Sequence, residues 1–242
     1  MKWLINYLLL SHKKKFSWTE ESNESGSNKK KYMPHGILQE QYVKELLDPS
    51  VKIVAGIGPA GTGKTLFACD TAINLLRQQN VTKIVLTRPM IAVENENIGF
   101  LPGDIACKMN PWLLPIFDIF LEYYTRVEID KKIFDGTIEI CPLGYMRGRT
   151  FKNAIIIADE IQNSTPQQLL MVATRLGKNS KLMITGDLNQ SDLKVVNGLE
   201  FFVKRMKTSK TFDDIRMVEF SNRDIERSAV VRHVLELFDV PS

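Results

Sequence analysis

The sequence predicts an α/β fold, a mostly parallel sheet covered by helices on both faces, and three observations carry that expectation. From residue 36 onward, short apolar and β-branched runs alternate with helical stretches. The runs are nearly continuous in apolar residues rather than alternating, as strands buried on both faces are. A glycine-rich turn joins the first run directly to a helix, and two later runs end in Asp-Glu and Gly-Asp turns.

Taken in chain order, a helix is expected at about 37–47, followed by a strand at 51–57 and a helix over 64–79. Strands at 81–86, 137–140, 154–158, 181–185 and 215–219 follow, each bounded by Gly, Pro, Asn or Asp. Helices are expected between them at about 112–125, 166–176 and 196–207, with a last one at 225–238. No repeat of about 20 to 50 residues occurs, which excludes a solenoid or propeller. The 242 residues suffice for one cored domain with an arm. With 44% hydrophobic and 25% charged residues, the composition excludes collagenous, coiled-coil and wholly disordered classes.

The longest N-terminal apolar run, residues 3–10, is about half of what a membrane span needs, and no small-residue cleavage site follows it. Neither a membrane protein nor an exported one is expected. Cys69, Cys107 and Cys141 are unclustered, which argues against a disulfide framework or a zinc site and suits a reducing, cytoplasmic setting. The net charge of +4 resides in residues 1–35, where seven lysines face Glu20, Glu21 and Glu24. The rest of the chain balances 25 basic against 25 acidic residues, so bulk charge does not point to a nucleic-acid-binding core. Residues 1–35, rich in Ser, Asn, Lys and Glu, read as a flexible basic arm, and 36–242 as one catalytic domain.

After the strand VKIVAGI comes GPAGTGKT, which comprises Gly58, Pro59, Ala60, Gly61, Thr62, Gly63, Lys64 and Thr65. This is the Gly-x-x-x-x-Gly-Lys-Thr phosphate cradle in its required context, strand before and helix after. Glycines let successive backbone N–H groups point into one concavity without Cβ clashes. Lys64 then supplies a charge to the β- and γ-phosphates of ATP, Thr65 a hydroxyl to Mg²⁺, and the helix its positive N-terminal end. The run AIIIA ends in Asp159 and Glu160. The first is suited to hold Mg²⁺ through water, and the second to polarise the water that attacks the γ-phosphate. The run KLMIT ends in GDLNQ, which brings Asp187 and Gln190 to the same sheet edge, Gln190 being a residue type that reads a γ-phosphate or its attacking water.

Together LQEQY, GIGPAGTGKT, LTRPM, IGFLPGD, CPLGYMRGRTFKNA, IIIADEIQN, TRLG, GDLNQSDL and DIERSAVV resemble the PhoH family, phosphate-starvation-type ATPases related to the core of superfamily 1 helicases. The resemblance spans roughly residues 39–237 and departs from the family pattern at VENEN and at DEIQ. It implies a single RecA-like P-loop NTPase domain. It also assigns Gln39 to adenine recognition, and Gln162 to coupling between ATP and nucleic acid. Arg147, Arg149, Arg175 and Arg227 match the family's basic positions, where charge would meet phosphates of ATP or RNA. In the loop that opens at Arg88, where helicase relatives contact a single strand of RNA or DNA, Arg88 could meet phosphate while Phe100 and Trp112 stack on bases.

Superfamily 1 helicases complete the ATP site with an arginine from a second motor domain. About 50 residues follow the third motif, fewer than a domain needs. A neighbouring subunit is therefore expected to supply the arginine, Arg227, Arg149 or Arg175, within a ring such as a hexamer. The expected activity is Mg²⁺-dependent ATP hydrolysis coupled to single-stranded RNA or DNA. The alternative is a nucleotide-dependent oligomeric switch or scaffold that recruits a protein such as a nuclease. A small-molecule kinase is disfavoured, because Glu160 beside the metal-binding Asp promotes the water attack a kinase must suppress.

Overall fold

The structure, a computed structural model, describes residues 32–89, 105–192, 196–209 and 212–226, together with 230 and 237. Six strands form one sheet: β1 (Ile53–Ile57), β2 (Lys83–Thr87), β3 (Ile138–Ile140), β4 (Ala154–Ala158), β5 (Lys181–Gly186) and β6 (Ile215–Glu219). Their order is β3-β2-β4-β5-β1-β6, and every pairing is parallel. The expected α/β architecture is what forms. The helices are α1 (Ile37–Leu47), α2 (Lys64–Arg77), α3 (Ile105–Leu121), α4 (Arg126–Phe134), α5 (Pro166–Ala173) and α6 (Gly198–Thr208).

The strands bury both faces, and residue alternation divides them between two cores. Val54, Ile155 and Ile157 join Tyr42, Phe67, Ile73 and Phe120 on one face. Ala55, Ile57 and Ile156 join Ile161, Leu169, Leu182 and Leu199 on the other. Each large aliphatic side chain so buried contributes about 1.5–3 kcal/mol, which is what holds the carboxyl ends of β1, β4 and β5 in register.

Local chemistry moves several boundaries. The helix expected from 112 begins at Ile105 and runs through Pro111 and Pro115, because burial of Leu113, Ile116, Phe117 and Phe120 outweighs the hydrogen bonds that proline removes. Helix α4 lies where none was expected. Ile129 is its one buried residue, so it shows little apolar periodicity, yet Thr125 and Glu128 form a capping box at its start. Helix α2 stops at Arg77, before Gln79 with its φ of 60°. The helix expected over 225–238 lies largely outside the described residues, as does nearly all of the arm. Tyr32 already packs against the core, four residues before position 36.

Candidate nucleotide site

The GPAGTGKT turn closes on itself between β1 and α2. Gly58, Gly61 and Gly63 have φ of 143°, 86° and 82°, values that favour glycine. At Gly58 space is a second constraint, since a Cβ there would sit 2.5 Å from the carbonyl oxygen of Phe220. Thr62 Oγ1 donates to Pro59 O at 3.0 Å. Lys64 Nζ donates to Pro59 O at 2.6 Å and to Thr62 Oγ1 at 3.2 Å, so the ammonium is held inside the loop. Gly63 caps α2 without a side-chain hydrogen bond, which leaves the helix N-terminus to an anion. Burial pushes Lys64 below the usual lysine range, and Asp187, Glu160 and Asp159 pull it back.

The acids that end β4 face this turn across β5. Thr65 Oγ1 donates to Asp159 Oδ1 at 2.9 Å, and Thr185 Oγ1 donates to the same oxygen at 2.5 Å. Among the described residues no group of three or more His, Cys, Asp or Glu could hold a metal ion. Mg²⁺ needs no such cage, since it keeps most of its waters and takes one or two hard oxygen ligands. The Thr65 hydroxyl and the Asp159 carboxylate at the mouth of the cradle fit that requirement.

Glu160 adopts a left-handed conformation, φ 56° and ψ 39°, which turns its side chain back towards the cradle. Gln162 Nε2 donates to Glu160, and Gln162 Oε1 accepts from the Asp187 N–H at 3.1 Å. Arg88, at the end of β2, lies 3.8 Å from both Asp159 Oδ2 and Glu160 Oε1. Gln190 lines the same cavity of about 270 Å³ together with Lys64, Thr65, Asp159 and Glu160.

A second cavity, of about 500 Å³, adjoins the first at Gly61, Gly63 and Leu66 and is lined by Tyr32, Met33, His35, Gln39, Phe67 and Glu226. Its apolar walls and rim of polar groups suit a flat purine base beside the phosphates. Gln39 is buried at the seam. Its Oε1 accepts from His35 N–H at 2.9 Å, and its Nε2 donates to Thr62 O at 3.3 Å and to Glu226 Oε1 at 3.1 Å. Glu226 is anchored in turn by its own N–H on Gly61 O at 2.9 Å.

Other expected residues lie elsewhere. Gln162, expected to couple ATP to nucleic acid, is fully buried and bonds inside the site to Glu160 and Asp187. Arg88 faces the two acids rather than an outer surface. Arg149 pairs with Glu139, lies 3.3 Å from Cys141 Sγ, and stacks on Phe151 at 4.6 Å. Arg175 donates to the carbonyls of Met171 and Arg149. The backbones of both stand beside the segments that lead into β4 and β5, with Phe151 N–H bonded to Arg175 O at 2.9 Å. Arg147 is exposed beyond a short turn, Leu143–Met146. Arg227, Phe100 and the side chain of Trp112 lie outside the described residues.

Sequence reasoning missed Thr185, Glu226 and the pocket wall of Tyr32, Met33, His35 and Phe67. Only Thr185 carried a signal, as the last polar residue of an apolar run that ends at Gly-Asp. The others meet the cradle through packing of distant segments. Among the described residues no helix is long and apolar enough to cross a membrane.

Residues 32–239 match the family model described as PhoH-like protein. A PhoH-like protein of Bacillus subtilis (strain 168) is 42% identical over 189 residues, covering 77% of this chain and 58% of the relative. One from Mycobacterium tuberculosis (strain ATCC 25618 / H37Rv) is 40% identical over 207 residues, covering 85% and 57%. Protein PhoH of Escherichia coli (strain K12) is 37% identical over 210 residues, covering 83% and 56%. The chain thus spans a little over half the length of these curated relatives. Among solved structures, the Pif1 helicase of Candida albicans aligns over 86% of this chain and 44% of its own, with a TM-score of 0.41 and 16% identity.

Proposed function

The chain belongs to the PhoH-like protein family, and from that premise we propose that it hydrolyses ATP with Mg²⁺ and couples turnover to single-stranded RNA or DNA. The observation that carries this reading is the contact of Thr65 with Asp159 at 2.9 Å, which brings the acids of β4 to the mouth of a phosphate cradle. Binding alone needs no second carboxylate there, whereas hydrolysis needs a base beside the γ-phosphate.

In this reading the N–H groups of residues 58–65 and Lys64 bind the phosphates, and Lys64 exchanges Pro59 O and Thr62 Oγ1 for phosphate oxygens. Thr65 and Asp159 are the residues that would hold Mg²⁺, which would supply positive charge to the phosphates. Glu160 accepts a proton from the attacking water as its oxygen bonds to the γ-phosphorus and the bond to the β,γ-bridging oxygen breaks. ADP and inorganic phosphate leave. Gln190 orients that water or the γ-phosphate, and the base occupies the Gln39 pocket.

The family reading extends to a ring, a hexamer with an arginine supplied in trans, for which Arg227 is the candidate. Arg147, exposed beyond Leu143–Met146, is the nucleic-acid candidate that best keeps its place. Free Cys69 and Cys141 suit a reducing cytoplasm.

One observation favours a second reading, a nucleotide-dependent switch or scaffold that recruits a protein: outside residues 1–35 the charges balance at 25 against 25, so bulk charge does not draw a nucleic acid to the domain. Steady-state phosphate release with and without single-stranded RNA separates the two. Glu160→Gln is expected to bind ATP and hydrolyse it at least about 100-fold more slowly. RNA stimulation supports the coupled ATPase, turnover indifferent to RNA supports the switch, and absence of any Glu160-dependent turnover refutes both.

A further inference from the structure

We propose that Arg88 is the site's own γ-phosphate-reading cation, acting in cis on the nucleotide rather than on a nucleic-acid strand. This rests on the proposed ATP site and adds a residue to it. Arg88 follows β2 immediately, and Thr87 pairs in register with Ala158, so its side chain emerges beside the acids that follow β4. The Asp159 N–H bonds to Thr87 O at 3.0 Å, which fixes the two strand ends together. The guanidinium lies 3.8 Å from Asp159 Oδ2 and 3.8 Å from Glu160 Oε1, and its side chain is only 23% exposed.

Charge and distance both favour this role. Three carboxylates, Asp159, Glu160 and Asp187, surround Lys64. Lys64 is tied into the cradle by Pro59 O and Thr62 Oγ1. A terminal phosphate approaching Glu160 and Gln190 therefore meets acidic groups, and Arg88 is a cation that faces two of them, Asp159 and Glu160. Both ion pairs, at 3.8 Å, are longer than charge-assisted hydrogen bonds of about 2.7–2.9 Å. A planar fork suits two phosphate oxygens in a way a point charge does not.

The inference predicts discrimination between nucleotides, which can be measured without turnover. In the full chain with Mg²⁺, wild type, Arg88→Ala and Arg88→Lys are titrated with fluorescent ADP and with a non-hydrolysable fluorescent ATP analogue. Arg88→Ala should bind ADP within about two-fold of wild type, lose about ten-fold or more in analogue affinity, and slow single-turnover hydrolysis about 100-fold. Arg88→Lys should recover part of the analogue affinity. An unchanged analogue-to-ADP ratio in Arg88→Ala, with reduced binding of labelled single-stranded RNA, would overturn the inference and return Arg88 to a strand contact. Melting temperatures report folding, and should Arg88→Ala melt early, the ratio in Arg88→Lys decides alone: a value between unity and wild type supports the inference, and the wild-type value overturns it. If wild type binds the analogue but hydrolyses no ATP, the proposed activity fails while the ratio still tests Arg88.

Discussion

Gln162 holds Glu160: its Nε2 donates to the Glu160 carboxylate while its Oε1 accepts the Asp187 N–H at 3.1 Å, so one buried amide fastens the end of β4 to the end of β5. A carboxylate on a left-handed residue has no regular secondary structure to fix it, and this strut supplies the restraint. Close packing at Gly186 enforces the arrangement, since a Cβ there would meet Gln162 Oε1 at 2.6 Å. Gln162→Ala should lower kcat about 10- to 100-fold and leave nucleotide affinity within a factor of about three, because it disturbs the base and not the cradle. It should also cost about 1–3 kcal/mol in stability, as the buried Asp187 N–H loses its acceptor. Phosphate release, nucleotide titration and urea melts measure the three effects, and an unchanged kcat would show that Glu160 needs no strut.

The second prediction concerns the floor of the cradle. Gly58 has both a φ of 143° and a hypothetical Cβ 2.5 Å from the Phe220 carbonyl, whereas Gly148, with a φ of 77°, has nothing within 4 Å of the same point. Gly58→Ala must therefore displace backbone and should cost at least about 2 kcal/mol, while Gly148→Ala meets only conformational strain of about 1 kcal/mol. Equal melting temperatures for the two variants would show that the segment after β6 does not clamp the phosphate turn.

These two cases mark what was legible in the sequence. GPAGTGKT, AIIIADE and KLMITGD each combine a strand with a chemical terminus, so Lys64, Thr65, Asp159, Glu160 and Gln190 could be placed at one sheet edge from pattern alone, and the structure brings them to one cavity. The role of Gln162 was not legible, because DEIQ reads the same whether the glutamine points outward or inward. A left-handed turn at Glu160 decides it. The partners of Arg149 were not legible either: MRGRT looks like exposed positive charge, yet Glu139 and Phe151 take up the guanidinium. Contacts over long separation, such as Gln39 with Glu226, leave no local trace at all.

A third prediction follows from Lys181, a buried lysine with no catalytic task. Its ammonium donates to Leu46 O at 2.6 Å, Asp48 O at 2.7 Å and Glu45 O at 3.2 Å, capping the C-terminal end of α1 from β5. Burial pushes it down to about 8. The unfolded chain therefore holds this proton more tightly than the folded one between pH 8 and the ordinary lysine value of about 10.4, and stability contributed by this group rises with pH across that window. Lys181→Met removes the titration. The stability of wild type relative to Lys181→Met should increase by about 2 kcal/mol between pH 8 and pH 10, read from urea melts at each pH. A difference independent of pH would show that the folded protein keeps Lys181 protonated throughout, with the three carbonyls offsetting its burial.

The last prediction separates base from phosphate recognition at Gln39. Both amide hydrogens of Gln39 are committed, to Thr62 O and Glu226 Oε1, and its oxygen accepts from His35 N–H. Gln39 therefore joins three segments, α1, the cradle and the stretch after β6, into the wall of the pocket beside Phe67 and Tyr32. The Tyr32 phenol is itself pushed up by burial and by its hydrogen bond with Glu122, so it stays neutral and can lie against a base. Gln39→Ala opens the seam where a base would sit but leaves Lys64, Thr65 and Glu160 in place. It should raise KM for ATP about ten-fold while kcat falls no more than about three-fold, and it should leave the affinity for inorganic triphosphate unchanged, since that ligand has no base to lose. Glu226→Ala should move KM in the same direction by a smaller factor, because Thr62 O still holds one hydrogen of the amide. Equal loss of ATP and triphosphate affinity in Gln39→Ala would mean that Gln39 shapes the cradle through Thr62 and that the base binds elsewhere.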